Sequence, residues 1–231
     1  VTPLHCSYLG RVPFASALGL QDRLVARRRR GEAPDTLLLL EHPAVITLGR
    51  NAQPGHVIVT DAERIAAGIE IHEAGRGGDV TYHGPGQLVG YPIVALEGAR
   101  RDAHQYLREL EDGLIAAVAD YGVAATRVAG LTGVWVGDAK LAAIGVRIGT
   151  GWITSHGFAL NVGHDVSGFG LIVPCGIRDR SVTSLTRCAG RELTPAGVAG
   201  TVAARVASRL GYVAVWDDAA VSSPAVHGRK P

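Results

Sequence analysis

Residues Gly133–Ile148 read GVWVGDAKLAAIGVRI, and this stretch decides what kind of fold to expect. Strand-forming runs flank Gly137-Asp138, a dipeptide suited to a tight β-hairpin turn. A hairpin makes antiparallel neighbours, whereas a doubly wound parallel sheet needs a helix between successive strands. Working outward, Trp152–Leu160 reads as a further strand. Upstream, Thr2–Leu9, Leu37–Glu41, Val45–Leu48, Ile69–Ala74 and Gln87–Val94 read the same way, with His42-Pro43 breaking the second from the third. Tyr212–Trp216 adds a last strand. Helices come between some of these but not all. Phe14, Ala17, Leu18, Leu24 and Val25 recur at helical spacing after Pro13, and Gly31 stops that helix. Asp102 can cap a second helix, which turns Leu107, Leu110, Leu114, Ile115 and Val118 inward and ends at Gly122. Thr194-Pro195 opens another, with Val198, Val202, Val206 and Leu210 on its buried side. The expectation is one α/β domain of the α+β type over residues 1–216, a mixed β-sheet flanked by helices, followed by a loose tail over 217–231.

A chain of 231 residues, 47% of them hydrophobic, can bury a sizeable core. A formal net charge of +2 does not argue for nucleic acid, which calls for a clustered basic face. The four arginines Arg27–Arg30 suit the last turn of a helix, where cations favour the dipole. Three cysteines, Cys6, Cys175 and Cys188, are an odd number without CxxC spacing. They predict neither a disulfide framework nor a structural zinc, and so a reducing compartment. Val1–Leu9 lacks the charged and apolar regions of a signal peptide, and the apolar run Leu37–Leu40 is too short to span a bilayer. A cytoplasmic protein is expected.

Four segments concentrate residues suited to chemistry. Gly75–Gln87 holds five glycines interleaved with Arg76, Asp79, Thr81, Tyr82 and His83. Glycines permit positive φ and close backbone approach, and the polar residues between them favour a binding loop over a plain turn. No Gly-Lys-Ser/Thr follows, so a P-loop is a poor reading. In Asp138–Arg147, Lys140 heads a face shared with Ala142, Ile144 and Val146. A lysine partly desolvated there is suited to proton transfer, although a lysine at a hairpin mouth more often reaches into water. In Thr154–Asn161, His156 beside Gly157 can flank a pocket or simply be a hydrogen-bonded strand residue. In Ile172–Ile177, Cys175 lies between Pro174 and Gly176, which places it in a turn with flanking amides able to bind an oxyanion. Cys6 and Cys188 have no such setting and read as small buried hydrophobes. A zinc site from His83, His156 and Cys175 would draw on three distant segments and is not expected.

Together these segments resemble the lipoyl(octanoyl) transferase family. GRGGDVTYHGPGQLVGYPI at Gly75–Ile93, KLAAIGVR at Lys140–Arg147, HGFALN at His156–Asn161 and VPCGI at Val173–Ile177 resemble its motifs in order, as do LLLLEHP at Leu37–Pro43, TLGR at Thr47–Arg50 and VTSL at Val182–Leu185. The resemblance implies a fold shared with biotin and lipoate ligases. It implies that Cys175 is a nucleophile that carries the octanoyl group as a thioester, with Lys140 as its neighbouring base. It implies an acyl site lined by Arg76, Gly77, Gly78, Asp79, Val80, Thr81, Tyr82 and His83, completed by Ala143, Ile144 and Gly145 and by Gly157, Phe158 and Ala159. The implied donor is octanoyl-acyl carrier protein, which carries phosphopantetheine. The implied acceptors are lipoyl domains, as in the E2 subunits of 2-oxoacid dehydrogenases and the glycine-cleavage H protein. No ATP, metal, nucleic acid or membrane is expected. Three other readings stay open on the residues alone: an ATP-dependent lipoate or biotin ligase, a cysteine hydrolase using His83 or His156 as base, and a binding module for lipoyl domains without chemistry.

Overall fold

The computed structural model describes residues 2–163, 165–173 and 180–217, so Cys175 and the tail beyond 217 lie outside the described residues. The chain opens with β1 (Thr2–Arg11) and α1 (Phe14–Arg29), then β2 (Thr36–Glu41) and β3 (Val45–Leu48). A short helix α2 (Asp61–Ala66) precedes β4 (Glu70–Glu73), β5 (Val80–His83) and β6 (Gln87–Ile93). Next come α3 (Ala103–Ala119), β7 (Thr126–Val128), β8 (Leu131–Val136), β9 (Ala139–Ile148) and β10 (Thr154–Asn161). The described chain ends with α4 (Leu185–Ala189), α5 (Pro195–Arg209) and β11 (Tyr212–Trp216).

Among the described residues the strands form two sheets. The larger runs β11-β1-β2-β6-β10-β9-β8-β7, and the smaller runs β4-β3-β5. The larger sheet is mixed: β1 is parallel to both β11 and β2, while β6, β10, β9 and β8 are antiparallel in turn. The hairpin read at Gly137-Asp138 forms with Val136 opposite Ala139. The sequence pointed to one sheet; the second arises because His42-Pro43 ends β2 and sends β3 away from it. His42 is fully buried at this corner, with Nδ1 2.6 Å from the Val12 carbonyl and Nε2 2.8 Å from the Tyr91 hydroxyl.

The apolar run of β2 is explained by burial on both faces. Leu37 and Leu39 enter the core made with α3 and α5, including Leu110, Leu114, Val202 and Val206. Leu38 and Leu40 face α1, where Ala17 and Leu24 pack with Val89, Tyr91 and Ala159. The expected caps are in place. Asp102 accepts from the amides of His104 and Gln105, and Thr194 from that of Gly197. A Thr60/Glu63 capping box starts α2, an element the apolar periodicity did not reveal. Gly113 lets α3 and α5 cross closely, since a Cβ there would lie 2.8 Å from Val206 Cα.

Candidate functional site

The loop between β4 and β5 is laid against the end of β9. The Gly77 amide donates to the Val146 carbonyl over 2.8 Å, and a Cβ on Gly145 would stand 3.0 Å from the Gly77 carbonyl and 3.1 Å from Arg76 Cδ. Gly145 is therefore small because a backbone rests on it. Gly78 takes φ +82°, a region a side chain disfavours, and its carbonyl accepts from the Asn51 amide. Arg76 is buried and holds this loop to β3. Its guanidinium donates to the Thr47 carbonyl at 2.7 Å and to the carbonyls of Asp79 and Gly77 at 2.8 and 3.0 Å.

Between this loop and the middle of the large sheet lies a cavity of about 520 Å³, in the ordinary range for a small-molecule site. Arg76, Gly77, Gly78, Asp79, Val80, Thr81 and His83 line it, as do Ala143, Ile144, Gly145, Gly157, Phe158, Ala159 and Lys140. Three of the four segments singled out from sequence thus supply a single chamber; of the fourth, Ile172 and Val173 are not part of the lining, and residues 174–177 lie outside the described residues. Tyr82 stands apart. Its ring packs on Phe169 at 5.8 Å between centroids and lines a separate small cavity with Gly86, Gln87 and Asn161. Phe14, Val89, Tyr91, Leu107 and Leu131 also line the main cavity. Nothing in their local sequence marks them for it, because strand register and helix packing bring them there.

Lys140 is buried, 7% exposed, rather than reaching into water. Its Nζ lies 5.0 Å from the centre of the Trp135 ring. Its backbone forms a parallel bridge with Val182: the Lys140 amide donates to Ser181 at 2.9 Å, and the Thr183 amide donates back at 3.0 Å. At the other side, the Val173 amide donates to the His56 carbonyl at 2.7 Å, and His56 Nδ1 lies 2.5 Å from Asp79 Oδ2. Val173 is thus anchored at His56 and residues 181–183 at Lys140; Cys175 itself lies outside the described residues. His56 escaped the sequence reading because its partner, Asp79, comes from another loop.

The two histidines that line the cavity, His83 and His156, are held neutral. Burial pushes His83 down to about 3, aided by nearby His42 and Arg76. Burial also pushes His156 down to about 4, with Arg76 and Arg147 adding to it. His156 takes φ +55°, uncommon for a residue with a side chain, and its amide donates to buried Gln21 Oε1 at 2.7 Å. Cys6 is fully buried, and its thiol is pushed up to about 12, chiefly by burial, which suits the inert role read for it. Among the described residues no three side chains of His, Cys, Asp or Glu gather as metal ligands, and no helix is long and apolar enough to cross a membrane.

Residues 13–207 match the family model of the lipoyl protein ligase A/B catalytic domain. The chain is 51% identical over 212 residues to an octanoyltransferase of Chloroflexus aurantiacus, covering 91% of this chain and 93% of that one. It is 54% identical over 190 residues to an octanoyltransferase of Rubrobacter xylanophilus, covering 82% and 85%. Among solved structures, a lipoate protein ligase of T. acidophilum with bound lipoic acid superposes with a TM-score of 0.74 at 16% identity, over 93% of this chain and 89% of that one. A biotin protein ligase from Aquifex aeolicus superposes with a TM-score of 0.51 at 13% identity, over 90% and 70%. Both structural likenesses concern the fold.

Proposed function

The chain belongs to the octanoyltransferases of the lipoyl protein ligase A/B catalytic-domain family, and from that premise we propose that it moves an octanoyl group from octanoyl-acyl carrier protein to a lysine of a lipoyl domain through a thioester on Cys175. The observation that carries this reading is the bridge between Lys140 and Ser181–Thr183. It holds residues 181–183, which follow Cys175 in the chain, against a buried lysine that lines the cavity. The acceptors are the lipoyl domains of 2-oxoacid dehydrogenase E2 subunits and of the glycine-cleavage H protein, in the cytoplasm.

The chemistry runs in two exchanges. In the first, the Cys175 thiol gives its proton to the Lys140 amine, and the thiolate attacks the octanoyl carbonyl. A carbon–sulfur bond to Cys175 forms, the bond to phosphopantetheine breaks, and the departing thiolate recovers the proton from Lys140. In the second, the acceptor lysine attacks the enzyme thioester. An amide bond forms, the Cys175 thiolate leaves, and Lys140 carries the amine's proton back to it. A thioester is already activated, so this route requires neither ATP nor a metal, and amide formation drives it forward. The octanoyl chain lies along the cavity wall at Ala143 and Ala159, each buried methylene contributing about 0.8 kcal/mol. His83 and His156, the bases a hydrolase would need, are buried and depressed to about 3 and about 4.

Intact mass after mixing with octanoyl-acyl carrier protein, without acceptor, tests the reading. The expected result is a gain of one octanoyl group that hydroxylamine removes, that Cys175→Ala lacks, and that Lys140→Ala forms at least about a hundredfold more slowly. A folded wild-type protein that gains no mass from intact donor would refute the covalent route.

A further inference from the structure

A line of buried polar side chains crosses behind the cavity, and its hydrogen bonds all point one way. Two backbone carbonyls set the direction. Asn161 Nδ2 donates to the Thr183 carbonyl at 3.1 Å, which turns Oδ1 toward Gln87. Gln87 Nε2 donates to that Oδ1 at 2.9 Å and to the Tyr82 carbonyl at 3.3 Å, leaving Oε1 as an acceptor. His83 Nδ1, 2.7 Å from Oε1, must then carry the hydrogen. In the neutral ring Nε2 is an acceptor, and it takes the Thr47 hydroxyl at 3.4 Å. Thr47 Oγ1 in turn accepts from Arg76 at 2.9 and 3.3 Å. Beyond Asn161 the direction continues, since the Thr183 amide donates to the Lys140 carbonyl at 3.0 Å. Thr47, Arg76, His83, Gln87 and Asn161 are all buried, so no bulk water competes for these bonds.

We propose that this line sets the position of Lys140 relative to the acyl-binding loop, and that Gln87 and Asn161 are positioning residues of the transfer reaction. Neither touches the reacting atoms. Their task is to transmit the placement of the Arg76 loop to residues 181–183, which hold the Lys140 backbone and lead out of the segment with Cys175. A polarised line is sensitive to a single wrong atom. Gln87→Glu keeps the shape but has no hydrogen to offer Asn161, and Asn161→Asp has none to offer Thr183. Either change sets two acceptors against each other in a buried site.

The inference rests on the roles proposed above for Lys140 and Cys175. The test uses both isosteric variants in the full chain, with octanoyl-acyl carrier protein as donor. Rates of Cys175 acylation should fall by about tenfold to a hundredfold, equivalent to about 1.4–2.7 kcal/mol of barrier. KM for the donor should stay within about threefold, because the cavity wall is unchanged. Both variants should melt somewhat below wild type, and amide exchange at Lys140 and Thr183 should quicken by more than that global loss of stability accounts for. Wild-type rates in both variants would overturn the proposal, as would rates that fall only in step with lost stability. A wild-type protein that never acylates Cys175, yet shows the same exchange changes in its variants, would overturn the catalytic reading and with it the positioning role.

Discussion

Acid should weaken this fold between pH 6.5 and 5 through its buried imidazoles. An imidazole in the unfolded chain takes its proton near 6.5, whereas folded His83 and His156 wait until about 3 and about 4. The unfolded state therefore binds more protons as the pH drops below 6.5, and stability is lost until the folded values are reached. Over the first roughly 1.5 pH units each histidine costs about 2 kcal/mol, at about 1.4 kcal/mol per pH unit. The pair together remove about 4 kcal/mol, a large part of a typical margin of about 5–15 kcal/mol. His42, also lowered by its burial, acts in the same direction. The assay is urea unfolding at pH 7 and pH 5, with His156→Asn as the control. Asparagine tolerates the φ of +55° at this position and carries no titrating proton. The variant should lose about 2 kcal/mol less than wild type across the same interval. A wild-type stability that changes by less than about 1 kcal/mol, or a variant with an undiminished loss, would refute the assignment of these rings as buried and neutral.

Two further changes probe the scaffold around the site. Glu111 is fully buried, accepts from the Gly133 amide at 2.9 Å and meets Arg108 and Arg127 at 2.6 and 3.0 Å. Glu111→Ala should cost about 3 kcal/mol by orphaning that amide beside the Lys140 hairpin, and Glu111→Gln, which keeps the bond, clearly less; equal urea midpoints for the two would contradict this. Gly145→Ala places a Cβ 3.0 Å from the Gly77 carbonyl, so the Arg76 loop must shift. Donor KM should then rise by about tenfold while the melting temperature falls only slightly, and an unchanged KM would show that the loop does not shape the donor site.

Much of this molecule was determined by its sequence alone, because local physics writes itself into local pattern. Asp102 and Thr194 mark helix starts by offering an oxygen to the next turn's amides. Gly137-Asp138 fixes a hairpin, and the unbroken leucines of β2 show a strand buried on both faces. The glycine-rich loop and the Lys140 and His156 segments were legible as site material from residue type, and they do line one cavity. What the sequence leaves open are choices among distant partners. His42-Pro43 shows that the chain breaks, but the destination of β3 in a second sheet depends on its pairing with β4 and β5. Gly145 reads as room for a ligand until the Arg76 loop is seen resting on it. The burial of Lys140, the His56–Asp79 pair and the line from Arg76 to Thr183 were decided by tertiary structure. Each joins side chains from segments far apart in the chain. A hydrogen bond's direction depends on every group around it, and those groups meet only once the sheets have closed on one another.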